Sequence, residues 1–387
     1  MQQGPSEIQA LKNHQAASKQ AGLYVGKVVY IYAYDIAYDM KHQPIPDLLG
    51  RPVVNFDIEL SKRNPKQAFL FRPQMVRLSP VERQSQFGLL RLDRIVKLFP
   101  VGAISIAVHV PFKVESLDEL VEYHNLSFVG GTLNSDIRVL ADEIRRQLES
   151  LCIRPVDKLE QADAYTVFCI ESPQLSEQGQ SFHAEEWLRQ HRRQVASLLT
   201  EEQDISLLSD QKAGESVSLS LSYYEHDLAV FDWDAGLIVD NPENFNEILH
   251  IIELANVQLA ELAAYDRILD AALEFSYRDL GARLRNPQKI LHSLREIRVD
   301  LARLNDELSN TAKFFGVWHL ARLYQNISAK FHLADWQRVI ADKLRTLDSL
   351  YQILRQNQIN RWMIILEITI VLLFVIDVII LLLGWQK

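Results

Sequence analysis

The chain is 387 residues long, 48% hydrophobic and 24% charged, with a formal net charge of −9. Those values describe a globular protein with room for two or three folded units, and the acidic balance argues against general nucleic-acid binding, which calls for a basic domain. Two cysteines, Cys152 and Cys169, fit a reducing compartment and read as buried structural thiols.

Residues 1–22 read as a polar, disordered tail. They have neither the apolar core of a secretory signal nor the Arg-rich character of a transit peptide, so the bulk of the chain is expected to stay in the cytoplasm. Residues 23–240 read as an α+β cytoplasmic domain. Lys27 to Met40, rich in β-branched and aromatic residues, predicts a strand. RLDRIVKLF and VGAISIAVHV, the second from Val101 to Val110, predict two more, punctuated by Pro100-Val101-Gly102. Ser116 is placed to cap a short helix, SLDELVEYHN, with Glu119 closing a capping box. Asn134 is expected to open the next helix, whose Ile137, Leu140, Ala141, Ile144, Leu148 and Leu151 share one face. Ala164 to Ser172 predicts a strand, Ala184 to Leu199 an amphipathic helix, and Ser216 to Asp240 strands joined by short turns.

Residues 241–361 change character. Glycine and proline almost vanish, and Glu243 to about Arg285 can form one long helix. Ile290, Leu294, Ile297, Leu301, Leu304 and Leu308 then alternate steps of four and three, the seam of a coiled coil. A second seam comprises Leu333, Ile340, Leu344, Leu347, Tyr351 and Leu354. Between them lies an aromatic stretch with Phe314, Phe315, Trp318 and Tyr324, which either covers the α+β domain or offers a surface to a partner. The expectation is a helical hairpin turning in this stretch, its arms packing within one chain or between copies.

Residues 362–385 read as a transmembrane helix. The apolar run from Met363 to Leu383 would span roughly 30 Å at about 1.5 Å per residue, the thickness of a hydrocarbon core. Trp362 and Trp385 stand at its ends, where amphipathic rings settle at headgroup level. The expectation is a tail-anchored, single-pass protein of the bacterial inner membrane with its N-terminal bulk in the cytoplasm. Glu367 and Asp377 lie within the span. An acid at mid-bilayer costs about 2.5–3.5 kcal/mol on insertion scales, so it tends to face protein or water. Either acid could pair helices of an oligomer, or Glu367 could snorkel and Asp377 be tolerated.

The C-terminal half resembles the required-for-meiotic-nuclear-division family with its yeast sporulation-type and bacterial relatives. The resemblance rests on VGAISIAVHV, the acidic helix SLDELVEYHN, the small-residue helix ELANVQLAELAAYDRILDAALE, the aromatic segment KFFGVWHLARLY, and a span carrying an early Leu366-Glu367. This chain lacks a proline before Phe314-Phe315, separates those rings from Trp318 by Gly316-Val317, and carries an extra Asp377. The resemblance implies a membrane-anchored, self-associating scaffold.

Signs of chemistry are sparse. Asp232 and Asp234, with Glu225, His226 and Asp227 close by, could begin a hard-metal site, yet the spacing is equally that of an acidic turn. Gly130-Gly131-Thr132 before a helix could receive a phosphate but reads as a loop. There is no G-x-S-x-G, H-E-x-x-H or P-loop. Interleaved charges on the long helices, from Arg278 to Glu307, read as a solvated face, with anionic lipid or ribosomal RNA as the sharper option. The expectation is a non-enzymatic scaffold without cofactor or metal. Its partners would be membrane lipid, further copies of itself and a cytoplasmic protein. The alternatives are an oligomeric channel or transporter accessory using Glu367 and Asp377, and a membrane-tethered metal-dependent enzyme.

Overall fold

The computed structural model describes residues 23–41, 43, 45–56, 73–172, 183–279, 299 and 318–384. The chain is α+β, with a large sheet domain followed by C-terminal helices. It divides into two units. The first comprises Met1–Glu261 with Glu307–Ala334, the second Leu262–Asp306 with Asp335–Lys387.

Ten strands of four or more residues are labelled here: β1 (Tyr24–Asp35), β2 (Ala37–Met40), β3 (Gln74–Arg77), β4 (Val81–Ser85), β5 (Gly88–Phe99), β6 (Ala103–Val114), β7 (Cys152–Pro155), β8 (Asp163–Glu171), β9 (Leu228–Phe231) and β10 (Ala235–Asp240). The main sheet runs β4-β5-β6-β1-β8-β10-β9, extended at its edges by two-residue ladders, with β3 also on β5. Every pairing along that path is antiparallel except β8 with β10. The long apolar stretch expected from Lys27 to Met40 is divided at Ile36. The Ile36 and Ala37 amides both turn to the Gly102 carbonyl, at 2.9 and 3.1 Å, and β2 pairs separately with β7.

Strand β1 lies at the centre and is buried on both faces, which is why its sequence is apolar without alternation. Side chains still alternate in direction. Val28, Tyr30, Tyr32 and Tyr34 join one apolar core with α1 (Asp118–Val121), α2 (Leu133–Leu148), α3 (Ala184–Gln190) and α4 (Arg192–Thr200). The Tyr30 hydroxyl donates to the Tyr123 carbonyl, and the Tyr32 hydroxyl donates to Asn134 Oδ1 at 2.6 Å. Burial raises both phenols above the ordinary tyrosine range.

Only half of the box expected at Ser116 and Glu119 forms: Glu119 accepts from the Ser116 amide, but Ser116 Oγ takes the Asp118 amide instead of that of Glu119, and Leu117 stands at the cap position of the helix. The cap of α2 is Thr132, however, which accepts from the Ser135 amide at 3.3 Å. Asn134 is drawn instead to Tyr32. The single helix expected over Ala184–Leu199 divides at His191, whose backbone leaves helical geometry (φ −103°, ψ 15°). Ser216 ends a further helix, α5 (Asp210–Ser216), rather than beginning a strand.

The other face of the sheet carries the Phe245–Glu261 stretch of α6 (Phe245–Asp279) and α7 (Trp318–Lys330). Asn256 Nδ2 of α6 donates to the Asp163 carbonyl at 2.8 Å, and Phe331, just past α7, meets the Tyr165 ring edge-on at 5.0 Å. Across Phe245–Glu261, apolar residues such as Ile251, Leu254 and Val257 are buried together with His250, Glu253, Asn256, Gln258 and Glu261. This stretch of α6 is enclosed nearly all round. The aromatic stretch expected to be a turn thus supplies the helix α7.

In the second unit, Leu262, Tyr265 and Leu269 of α6 are buried, as are Ile340, Leu344 and Leu347 of α8 (Leu333–Gly384). Lys343 Nζ bridges Asp266 Oδ1 at 2.6 Å and Asp270 Oδ1 at 2.5 Å. Ile290, Leu294, Ile297, Leu301, Leu304 and Leu308 lie outside the described residues, and the side chains of Tyr351 and Leu354 do so too. Among the described residues the helical pairing on view is therefore α6 with α8, and a long coiled-coil hairpin is not shown.

Candidate functional site

The densest chemistry outside the apolar cores sits between the sheet and α6. Lys97 interrupts the apolar end of β5 and is 5% exposed. Its ammonium pairs with Glu253 of α6 and lies 4.1 Å from the centre of the Phe56 ring. Ser105, opposite Lys97 in the β5–β6 register, places its hydroxyl 3.5 Å from Glu253 Oε1. One turn before Glu253, His250 is wholly buried, its ring 4.8 Å from that of Phe56. His250 Nδ1 is 3.9 Å from Glu253 Oε2, beyond hydrogen-bond reach. Neither ring nitrogen finds a hydrogen-bond partner among the described residues.

Burial lowers the His250 imidazole to about 4, against the opposing pull of Glu253. Burial pushes Glu253 upward, but Lys97 and His250 together hold its carboxyl below the usual range. On the same face, His109 of β6 is lowered to about 4, first by burial and next by Lys27. The Lys27 ammonium in turn lies 5.6 Å from the Phe245 ring. This arrangement can pin a helix to a sheet, and it holds an imidazole in its neutral form.

The acidic turn is tied into the first unit by hydrogen bonds and an ion pair. Asp232 Oδ1 accepts from the Trp233 amide at 3.0 Å and pairs with Lys330 Nζ at 3.2 Å. The Tyr165 hydroxyl donates to the Asp232 carbonyl at 3.0 Å. Asp234 is raised by burial and by the nearby Glu201 and Asp232. Asp227, with His226 beside it, lies at the opposite end of β9 and accepts from the Tyr223 and Tyr224 amides. No group of three His, Cys, Asp or Glu among the described residues is placed to hold a metal.

Two described helices are long and apolar enough to cross a membrane by length and composition alone. Phe245–Glu274 has a mean hydropathy of 1.2 and is 89% buried, as befits the core helix α6. Trp362–Ile380, within α8, has a mean hydropathy of 2.9 and is 0% buried. Glu367 and Asp377 are exposed on it. Of the residues expected to offer a partner surface, Phe314 and Phe315 lie outside the described residues and so does the Trp318 side chain. Tyr324 is 4% exposed and its hydroxyl donates to Gln258 Oε1 at 2.5 Å. It belongs to the domain core, because α7 turns that face onto α6.

The family model for the N-terminal domain of the uncharacterized protein MJ0711 matches residues 25–246, more than half of the chain, and the chain belongs to that family. The uncharacterized protein MJ0711 of Methanocaldococcus jannaschii is 27% identical over 172 residues, covering 44% of this chain and 53% of that protein. The chain thus matches about half the length of this archaeal relative. No solved structure gives a significant match. These matches overturn the resemblance to the required-for-meiotic-nuclear-division family. The features behind it, a glycine-bearing strand, amphipathic helices and an apolar run, are demanded of many chains by the same packing rules.

Proposed function

We propose that this member of the MJ0711 N-terminal domain family is a membrane-anchored, self-associating scaffold. Its helix Trp362–Ile380 crosses the cytoplasmic membrane, and its sheet domain, on the cytoplasmic side, recruits a protein partner. The observation that carries this reading is the contrast within α8. Ile340, Leu344 and Leu347 are buried against protein, whereas the 19 residues from Trp362 have a mean hydropathy of 2.9 and not one of them is buried. A continuous apolar cylinder of that kind is costly in water and is satisfied by lipid. Its rise is about 28 Å at 1.5 Å per residue, close to a hydrocarbon core.

The cytoplasmic placement is supported by two buried free thiols, Cys152 and Cys169, and by Arg355 and Arg361 ahead of the span. Self-association draws on the heptad positions from Ile290 to Leu308, on those of α8, and on Glu367 and Asp377 as interhelical hydrogen-bonding groups. The role is architectural rather than catalytic.

Membrane flotation after alkaline carbonate washing tests it, comparing the full chain with a version ending at Arg361. The full chain is expected to float and resist extraction, and the shorter one to remain soluble. Light scattering in detergent is expected to give the full chain a mass of more than one copy. A full chain released by carbonate would sink the anchoring, and a single-copy mass the self-association.

A further inference from the structure

The groups beneath α6 are balanced for one protonation state. The Lys97 ammonium and Glu253 carboxylate cancel, and both are shut off from water. His250 faces Glu253 on its own helix, Lys97 on β5 and the uncharged Phe56 ring. Farther along the same face stands His109 of β6, on which Lys27 of β1, Glu253 of α6, and Lys97 and Asp93 of β5 all act. A proton on His250 adds a positive charge beside Lys97, and the nearest anion already has a partner. The imidazolium then competes with Lys97 for Glu253, and whichever cation loses is left unpaired in an apolar site. Admitting water between helix and sheet relieves that conflict.

We propose that Lys97, Glu253 and His250 form an acid-operated latch, in which protonation of His250 releases the Phe245–Glu261 stretch of α6 from the sheet. Ser105 contributes a polar seat for the carboxylate in the closed state. The latch is independent of the membrane anchor: it concerns a helix and a sheet within the first unit.

Hydrogen exchange measured by mass spectrometry on the full chain in detergent tests it, between about pH 7 and pH 4.5, with rates corrected for intrinsic pH dependence. Protection of peptides from 245–261 is expected to fall about tenfold or more beyond any fall in β1 and β6 peptides on acidification. His250→Phe is expected to hold its protection across the range, and His109→Gln to lose it as the wild type does. The proposal is overturned if wild-type α6 stays protected, if β1 and β6 open in step with it, or if His250→Phe opens like the wild type. Should His250→Phe fail to fold, the wild-type imidazole is followed by NMR. Titration of His250 coincident with α6 opening supports the latch, and titration without opening overturns it.

Discussion

Lys97 of β5 and Glu253 of α6 pair across the interface between the sheet and its covering helix, with 6% and 3% of their side chains exposed. Removing either partner strands a buried charge, whereas removing both leaves a site that apolar groups can fill. Lys97→Met and Glu253→Leu are each expected to cost about 3–5 kcal/mol. The double variant should recover much of that loss. Urea denaturation of all four proteins reads the result. Additive losses in the double variant would mean that the two residues contribute separately.

The His109 imidazole gives the fold a pH dependence of definite sign. It is lowered to about 4, by burial first and by Lys27 next, whereas a free histidine titrates near about 6.5. Between those values the unfolded chain binds a proton that the folded one refuses. Stability therefore falls as pH drops from about 6.5 to about 4, and the contribution levels off below that. A shift of this size corresponds to about 3 kcal/mol for one group. Denaturant midpoints at neutral and mildly acidic pH should be closer together in His109→Gln than in the wild type. Equal separations would remove His109 from the account.

Gly102 sits at a positive φ of 93° between β5 and β6, and its carbonyl receives the amides of Ile36 and Ala37. A Cβ there would fall 2.0 Å from the Ala37 carbonyl oxygen. Gly102→Ala combines a strained backbone with a collision against fixed backbone, and about 2–4 kcal/mol of destabilisation is expected. Moving the same change to Gly50, also at positive φ but with open space around it, should cost less. A thermal melt of the two variants distinguishes collision from backbone strain alone.

The sheet was legible in the sequence because β1, β5 and β6 are long β-branched and aromatic runs, and α2 because its apolar residues share one face. The cluster under α6 was not. His250, Glu253, Asn256, Gln258 and Glu261 lie on a helix that the sequence predicts, yet nothing in their spacing says that all of them are buried. A polar residue on a helix looks the same in sequence whether it meets water or polar partners across an interface. The mate was visible as Lys97, a lone cation in the apolar end of β5, but its pairing spans 156 positions and no local period reports it. Tyr324 went unplaced for a similar reason: an aromatic-rich stretch suits a turn, a core or a docking face, and only packing on Gln258 decides among them.

Two leucines of helix α8 stand in different surroundings and should respond differently. Leu347 is fully buried in the second unit, while Leu373 is 60% exposed within the apolar run. Leu347→Ala leaves a cavity among packed side chains and is expected to cost about 2–5 kcal/mol of fold stability. Leu373→Ala touches no packed neighbour and should leave the denaturation midpoint unchanged. If lipid surrounds that run, Leu373→Arg places a charge near the middle of the bilayer, at a cost of about 2.5–3.5 kcal/mol on insertion scales. The arginine variant should then integrate into membranes less efficiently than the wild type in a glycosylation-mapping assay, while its sheet domain melts normally. An arginine without effect on integration, together with an alanine at Leu373 that weakens the fold, would place this segment against protein instead of lipid.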